Sequence, residues 1–225
     1  MAELADVLRH GDRALILAQR LLEQITHAPE IEQDMALSNL ALDLLGQARA
    51  LYTRAGEVEG AGHDEDYFAY QRGPDEFTSP LLVEQPAPDF AHVVARQYLH
   101  DEYALRFWES RAGHAGWDVA GKAVKETAYH LRYSRGWMVR LGDGTDTSHA
   151  RMQAALDTLW PYTAELFGED DESLSAPSLA AVDATLAEAT LTRPALQPVA
   201  GEHEYLPAIL AELQSLARAH PGATW

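Results

Sequence analysis

MALSNLALDLLGQARALYTRAG, residues 35–56, is the stretch that decides the fold. It is rich in strong helix formers and apolar on most faces, which predicts a helix over 30–56 buried against several neighbours. Gly56 and Gly60 are expected to end it. On the N-terminal side, Leu15, Ala18, Leu22 and Ile25 recur at helical spacing and predict a helix over 3–26, interrupted by His27, Ala28 and Pro29. On the C-terminal side, residues 57–87 hold short clusters of Gly, Asp, Pro and Ser. They read as a long crossover loop, with Tyr67, Phe68, Tyr70 and Phe77 available to pin it.

A third helix is expected over 89–112, with Val94, Tyr98, Leu105 and Trp108 on one stripe, and a fourth over 119–141, with Val124, Ala128, Leu131 and Met138 facing the core. The turn Leu141-Gly-Asp-Gly-Thr145 stops the fourth helix, its glycines suited to positive φ. A fifth helix over 148–167 keeps Met152, Leu156, Leu159 and Thr163 together, with a kink at Pro161. GEDDES, 168–173, reads as a solvated linker before shorter helices near 177–190 and 203–219. Two long helices, a long connection and two more long helices predict an all-α fold: a ferritin-like four-helix bundle with a long crossover and additional C-terminal helices, one domain over 1–225.

Composition narrows the functions. No apolar run approaches the roughly 20 residues that span a bilayer, and MAELADVLRH lacks the basic start and apolar block of a signal peptide, so a soluble, cytoplasmic protein is expected. Cysteine is absent, which removes disulfides, thiolate metal sites and cysteine nucleophiles. Acidic residues outnumber basic ones 35 to 17, a net charge of −18, which disfavours nucleic acid and anionic membranes as partners.

A ferritin-like bundle raises the question of two metal ions in its core. Such sites take a Glu from each of two helices and a Glu-x-x-His pair from each of the others, because residues three apart share a face. No Glu here is followed by His three residues later, and the Asp-x-x-His pairs, Asp89/His92 and Asp146/His149, fall at a helix start and in a turn. What remains are polar residues on apolar helices: Gln19 and Glu23; Asn39, Asp43 and Gln47; Gln97, His100 and Asp101; Glu126 and His130. Of these, Glu23, Asp43, Gln47, Asp101, Glu126 and His130 outline a degenerate metal pocket. Two readings stand: buried polar groups hydrogen-bonded to one another, or an unusual working metal site. The fourth helix concentrates Lys122, Lys125, Arg132, Arg135 and Arg140, either as salt bridges or as a docking face for an acidic partner or for the phosphates of a coenzyme A ester. Arg132, Arg135 and Trp137 are the interface candidates, being residue types enriched at binding hot spots; Trp137 reads equally as a core residue.

Six blocks then carry a family resemblance: NLALDLLGQARALY at 39–52, LLVEQP at 81–86, ARQYLHDEYAL at 95–105, KETAYHLRYSRGWMVRLGDGTD at 125–146, LWPYTAELF at 159–167 and AELQSLARAHPGATW at 211–225. Nearly the whole chain resembles the PaaC family of the phenylacetyl-CoA epoxidase, a multicomponent monooxygenase of aerobic phenylacetate catabolism. The resemblance implies a ferritin-like, non-catalytic subunit that scaffolds PaaA, the catalytic di-iron subunit, alongside the other epoxidase components. It implies no catalytic, cofactor or metal residue in this chain. Gln47 stands where the catalytic relative has the His of its Glu-x-x-His, and Leu44 in the Glu place. Ahead of His203 the chain departs from the family's Gly-rich, basic turn and is shortened between about 170 and 200. The alternative of a different class is an autonomous di-metal oxidase or an iron-handling ferritin relative.

Overall fold

The computed structural model describes residues 2–167, 172–195, 197–199 and 201–223. Every regular element among them is a helix or helical turn. In chain order the α-helices are α1 (Ala2–Leu22), α2 (Ile31–Glu59), α3 (Leu81–Glu84), α4 (Phe90–Arg111), α5 (Ala120–Gly142), α6 (Asp146–Leu159), α7 (Ala164–Phe167), α8 (Glu172–Glu188), α9 (Leu206–Leu213) and α10 (Ser215–Ala219). The order is that of the expected ferritin-like bundle: a pair of long helices, a crossover, a second pair, then further helices. The expected linker falls mostly outside the described residues, at 168–171.

Contacts group the chain into two compact units, Met1–Glu84 with Glu202–Trp225, and Gln85–Gly201. The first unit is built on the hairpin of α1 and α2. Leu37, Leu40, Leu44, Ala48, Leu51 and Ala55 bury one stripe of α2 at three- and four-residue spacing. The opposite face, although also apolar, is not covered: Ile31, Met35 and Leu42 are 70%, 62% and 62% exposed. α1 ends at Leu22, four residues earlier than expected. Thr26 adopts φ +74°, and the backbone N–H groups of Thr26 and Ala28 donate to the Asp34 carboxylate at 3.0 and 3.2 Å. α2 runs past Gly56 to Glu59. Gly60, at φ +71°, closes it by donating its N–H to the Gly56 carbonyl, while a Cβ at Gly56 would meet the His63 carbonyl at 2.2 Å. The crossover holds a π-helical turn at Tyr67–Gln71, a 3-10 turn at Pro74–Glu76, and α3, with Phe68 and Phe77 buried as the pins.

The second unit is built on the hairpin of α4 and α5, with α6 and α8 packed on both. Asp89 caps α4 by accepting from the His92 N–H at 3.0 Å, which explains its place three residues before a histidine. α4 is buried on most faces, whereas α5 buries Ala120, Ala123, Thr127, His130, Ser134 and Met138. The apolar stripe expected to face the core does not, apart from Met138: Ala128 is exposed, and Val124 and Leu131 are half-buried. The glycines that end α5 also act differently from expectation. Neither Gly142 nor Gly144 takes positive φ; a Cβ at Gly142 would lie 2.4 Å from the Ala189 carbonyl, so its role is close packing. Met152, Leu156, Leu159 and Thr163 are buried together as expected, and Pro161 converts the chain to a 3-10 turn at Trp160–Thr163. α8 begins at Glu172, ahead of the expected start at 177, and contains Pro177.

Candidate functional site

In the second unit the polar residues of α4 and α5 converge on one carboxylate. Asp101 is completely buried. Its Oδ1 accepts from Gln97 Nε2 at 2.7 Å and lies 3.1 Å from His100 Nδ1, and its Oδ2 accepts from the Ser134 hydroxyl at 3.0 Å. Gln97 and Asp101 are one turn apart on α4, so a single helix face presents both, and α5 brings Ser134 from across the hairpin. Sequence reading missed Ser134. Its signal was the four-residue step from His130, another wholly buried residue of the same α5 face. Glu126, one further turn back, is half-buried and forms an ion pair with Lys122 at 2.9 Å.

In the first unit, Gln47 is buried, one turn from half-buried Asp43 and two from exposed Asn39, so this polar row enters the interior only at its C-terminal end. Glu23 lies beyond the end of α1, exposed and paired with Arg20 at 2.7 Å. That corrects its assignment to the interior of a helix. Within the second unit, amide, hydroxyl and imidazole groups already engage both oxygens of Asp101. A dinuclear centre of the ferritin-like kind draws four Glu and two His from its helices, whereas the groups around Asp101 are an amide, a hydroxyl and one imidazole.

The first unit also carries a buried polar cluster that the sequence did not announce. Asp12, in the middle of α1 and fully buried, forms an ion pair with Arg72 from the crossover. It also accepts from the Tyr52 hydroxyl at 2.7 Å and the Thr78 N–H at 2.9 Å. Arg72 donates in addition to the carbonyls of Phe68 (2.8 Å) and Glu76 (3.1 Å), and its guanidinium sits 4.2 Å from the Phe77 ring centre. Two turns of the crossover are thereby tied to α1. Gln214 then ties the C-terminal helices to the same turns through the carbonyls of Ala69 and Arg72, both at 3.0 Å. A second tie is Glu84 of α3, buried, with His203 Nδ1 at 2.9 Å and the Glu204 N–H at 3.1 Å. On α1, burial first and the nearby Arg13 second push the His10 imidazole down to about 3, so it is neutral in the folded chain.

A match to the family described as phenylacetic acid catabolic protein spans residues 1–225. The chain belongs to that family. Members have the ferritin-like helical fold. Among relatives, the chain is 44% identical over 245 residues to the C-type subunit of 1,2-phenylacetyl-CoA epoxidase from Escherichia coli strain K12, covering 98% of each chain. α5 also carries the candidate interface residues. Arg135 donates to the Thr185 hydroxyl at 3.2 Å and forms an ion pair with Glu188, so α8 occupies it. Trp137 is half-buried, edge-on to Phe90 with ring centres 5.2 Å apart. Arg132 is exposed, 5.5 Å over the Tyr129 ring. Two α5 glycines, Gly121 and Gly136, have no atom within 4 Å of where a Cβ would stand. Each costs the helix about 1 kcal/mol relative to alanine. No helix among the described residues is long and apolar enough to cross a membrane.

Proposed function

We propose that this chain is the C-type subunit of a phenylacetyl-CoA epoxidase and contributes structure instead of catalysis, supporting a PaaA-like subunit that carries the two irons. The observation that carries the reading is the end-to-end similarity to the C-type subunit of the Escherichia coli enzyme, 44% identity over 98% of both chains, with no large part of either left unmatched. The polar interior is compatible with it. Asp101 is engaged by neighbouring donors, and the large buried clusters of the first unit tie segments of the fold together without opening a reactive group to a substrate. The chain's own role is then to keep a shape against which a partner packs. The reading includes no metal in this chain and a cytoplasmic location.

The test is coexpression with the PaaA-like protein of the same genome, followed by mass measurement, iron analysis and an epoxidation assay with the reductase. We expect a stable complex, iron confined to the partner, and turnover of phenylacetyl-CoA only when both chains are present. Separate elution at micromolar concentration, with the catalytic subunit equally active alone, overturns the proposal. Two tightly held irons in this chain purified by itself overturn it in favour of an autonomous oxidase.

A further inference from the structure

The row of exposed cations along α5 stands out against the rest of the chain. The helix has five Lys and Arg residues against one Glu in a protein of net charge −18. Two of the cations are neutralised internally, Lys122 by Glu126 and Arg135 by Glu188. Lys125, Arg132 and Arg140 are exposed, and none has an ion-pair partner among the described residues. Steps of seven and eight residues place these three on one side of the helix. Arg132 and Arg140 lie over the rings of Tyr129 and Trp137 at 5.5 Å, which holds both guanidinium groups along the helix surface, and Tyr129 is itself 43% exposed.

Gly121 and Gly136 fall on the same side, and this is a separate observation. Neither takes positive φ, and a Cβ at either would meet nothing within the chain. Nothing in this fold asks for glycine there, so the missing side chains leave room for something outside it. The two positions are fifteen residues apart, about 22 Å of helix at 1.5 Å per residue. A surface that long, smooth at both ends and lined with cations suits a helix laid along it more than a compact anion bound at one point.

Resting on the proposed role as an epoxidase subunit, we infer that the outer face of α5, from Gly121 to Arg140, is a docking surface for an acidic helix of the catalytic partner subunit. Carboxylates of that helix pair with Lys125, Arg132 and Arg140, and its backbone comes close at Gly121 and Gly136. Arg132 thus belongs to the docking surface, while Arg135 and Trp137 serve this chain's own packing.

The experiment uses the full chain and the PaaA-like partner, with affinity measured at low and moderate salt. The variants are Lys125→Glu with Arg132→Glu, and separately Gly136→Leu. Circular dichroism and thermal melting confirm that each isolated variant is folded. The expected result is salt-sensitive wild-type binding, weakened at least about tenfold by the charge reversals and by Gly136→Leu, with melting temperatures of the isolated chains not lowered. Unchanged affinity in both variants, beside a wild type that binds, overturns the surface and leaves the subunit role intact. A wild type that does not bind overturns the subunit role and the surface with it. Unaltered partner binding with a raised KM for the CoA ester assigns the cations to a small anionic ligand and also overturns the inference, as does loss of self-association in the variants without loss of partner binding.

Discussion

Among the described residues each unit buries one aspartate completely, and the two are stabilised by opposite means. Asp12 is neutralised by a guanidinium sixty residues away in sequence, so its ion pair closes a long loop onto α1. Asp101 is held by the dipoles of Gln97 and Ser134 and by His100, all on the two helices of one hairpin. The first arrangement fastens a crossover that has little regular structure of its own. The second satisfies a polar group within an interface that helix packing already specifies. A charge balanced by a charge costs more to disturb than one satisfied by neutral donors, because removing its partner leaves an ion in low dielectric.

The strongest test of that contrast is Arg72→Met, which strands Asp12. We expect a loss of about 3–5 kcal/mol in urea unfolding. Asp101→Ala strands the Gln97 amide, the Ser134 hydroxyl and the His100 imidazole and should cost about 1–3 kcal/mol. If it costs as much as Arg72→Met, the distinction between the two clusters fails.

A third test lies in pH. The unfolded His10 takes up its proton near 6.5, whereas the folded residue resists protonation until about 3. The unfolded state therefore binds more protons between those values, and His10 lowers stability as pH falls through that window, by about 1.4 kcal/mol per unit once well below 6.5. Above 6.5 it has no such effect. His10→Gln should remove this contribution, so its urea midpoint should gain on the wild type as pH falls from 7 to 5. Parallel midpoints would show that the first unit's polar interior does not exclude protons as described. The mildest change is Ser134→Ala, which takes one donor from Asp101 and leaves the others. About 0.5–1.5 kcal/mol is expected, and a larger loss would show that the α4–α5 interface depends on this bond more than on its packing.

Much of the architecture was legible in the chain. The α2 stripe from Leu37 to Ala55, the α6 row of Met152, Leu156 and Leu159, and the cap at Asp89 follow from local periodicity and side-chain chemistry. The candidate site was legible in part. Gln97, His100 and Asp101 were readable as interior polar residues, but Ser134 was passed over: its only local mark is the four-residue step from His130, and its use becomes visible once the Asp101 carboxylate is in place. Glu23 was misplaced because the end of α1 depends on Asp34, eleven residues later, taking up the backbone N–H groups of the turn.

By itself, the sequence determined the helical class, the order of the long helices and the family, because helix periodicity and long motif blocks are local properties of the chain. Only the tertiary structure decided which face of α5 is buried. Hydropathy favours Val124, Ala128 and Leu131, yet the hairpin with α4 takes in the side carrying Ala120, Ala123, Thr127, His130 and Ser134. Small side chains let two helices approach closely, and the buried Asp101 carboxylate opposite gives the Ser134 hydroxyl a reason to face inward. The same holds for Arg72 and Asp12. Their attraction acts through space, and nothing in the stretch of chain between them records that the fold will bring them together.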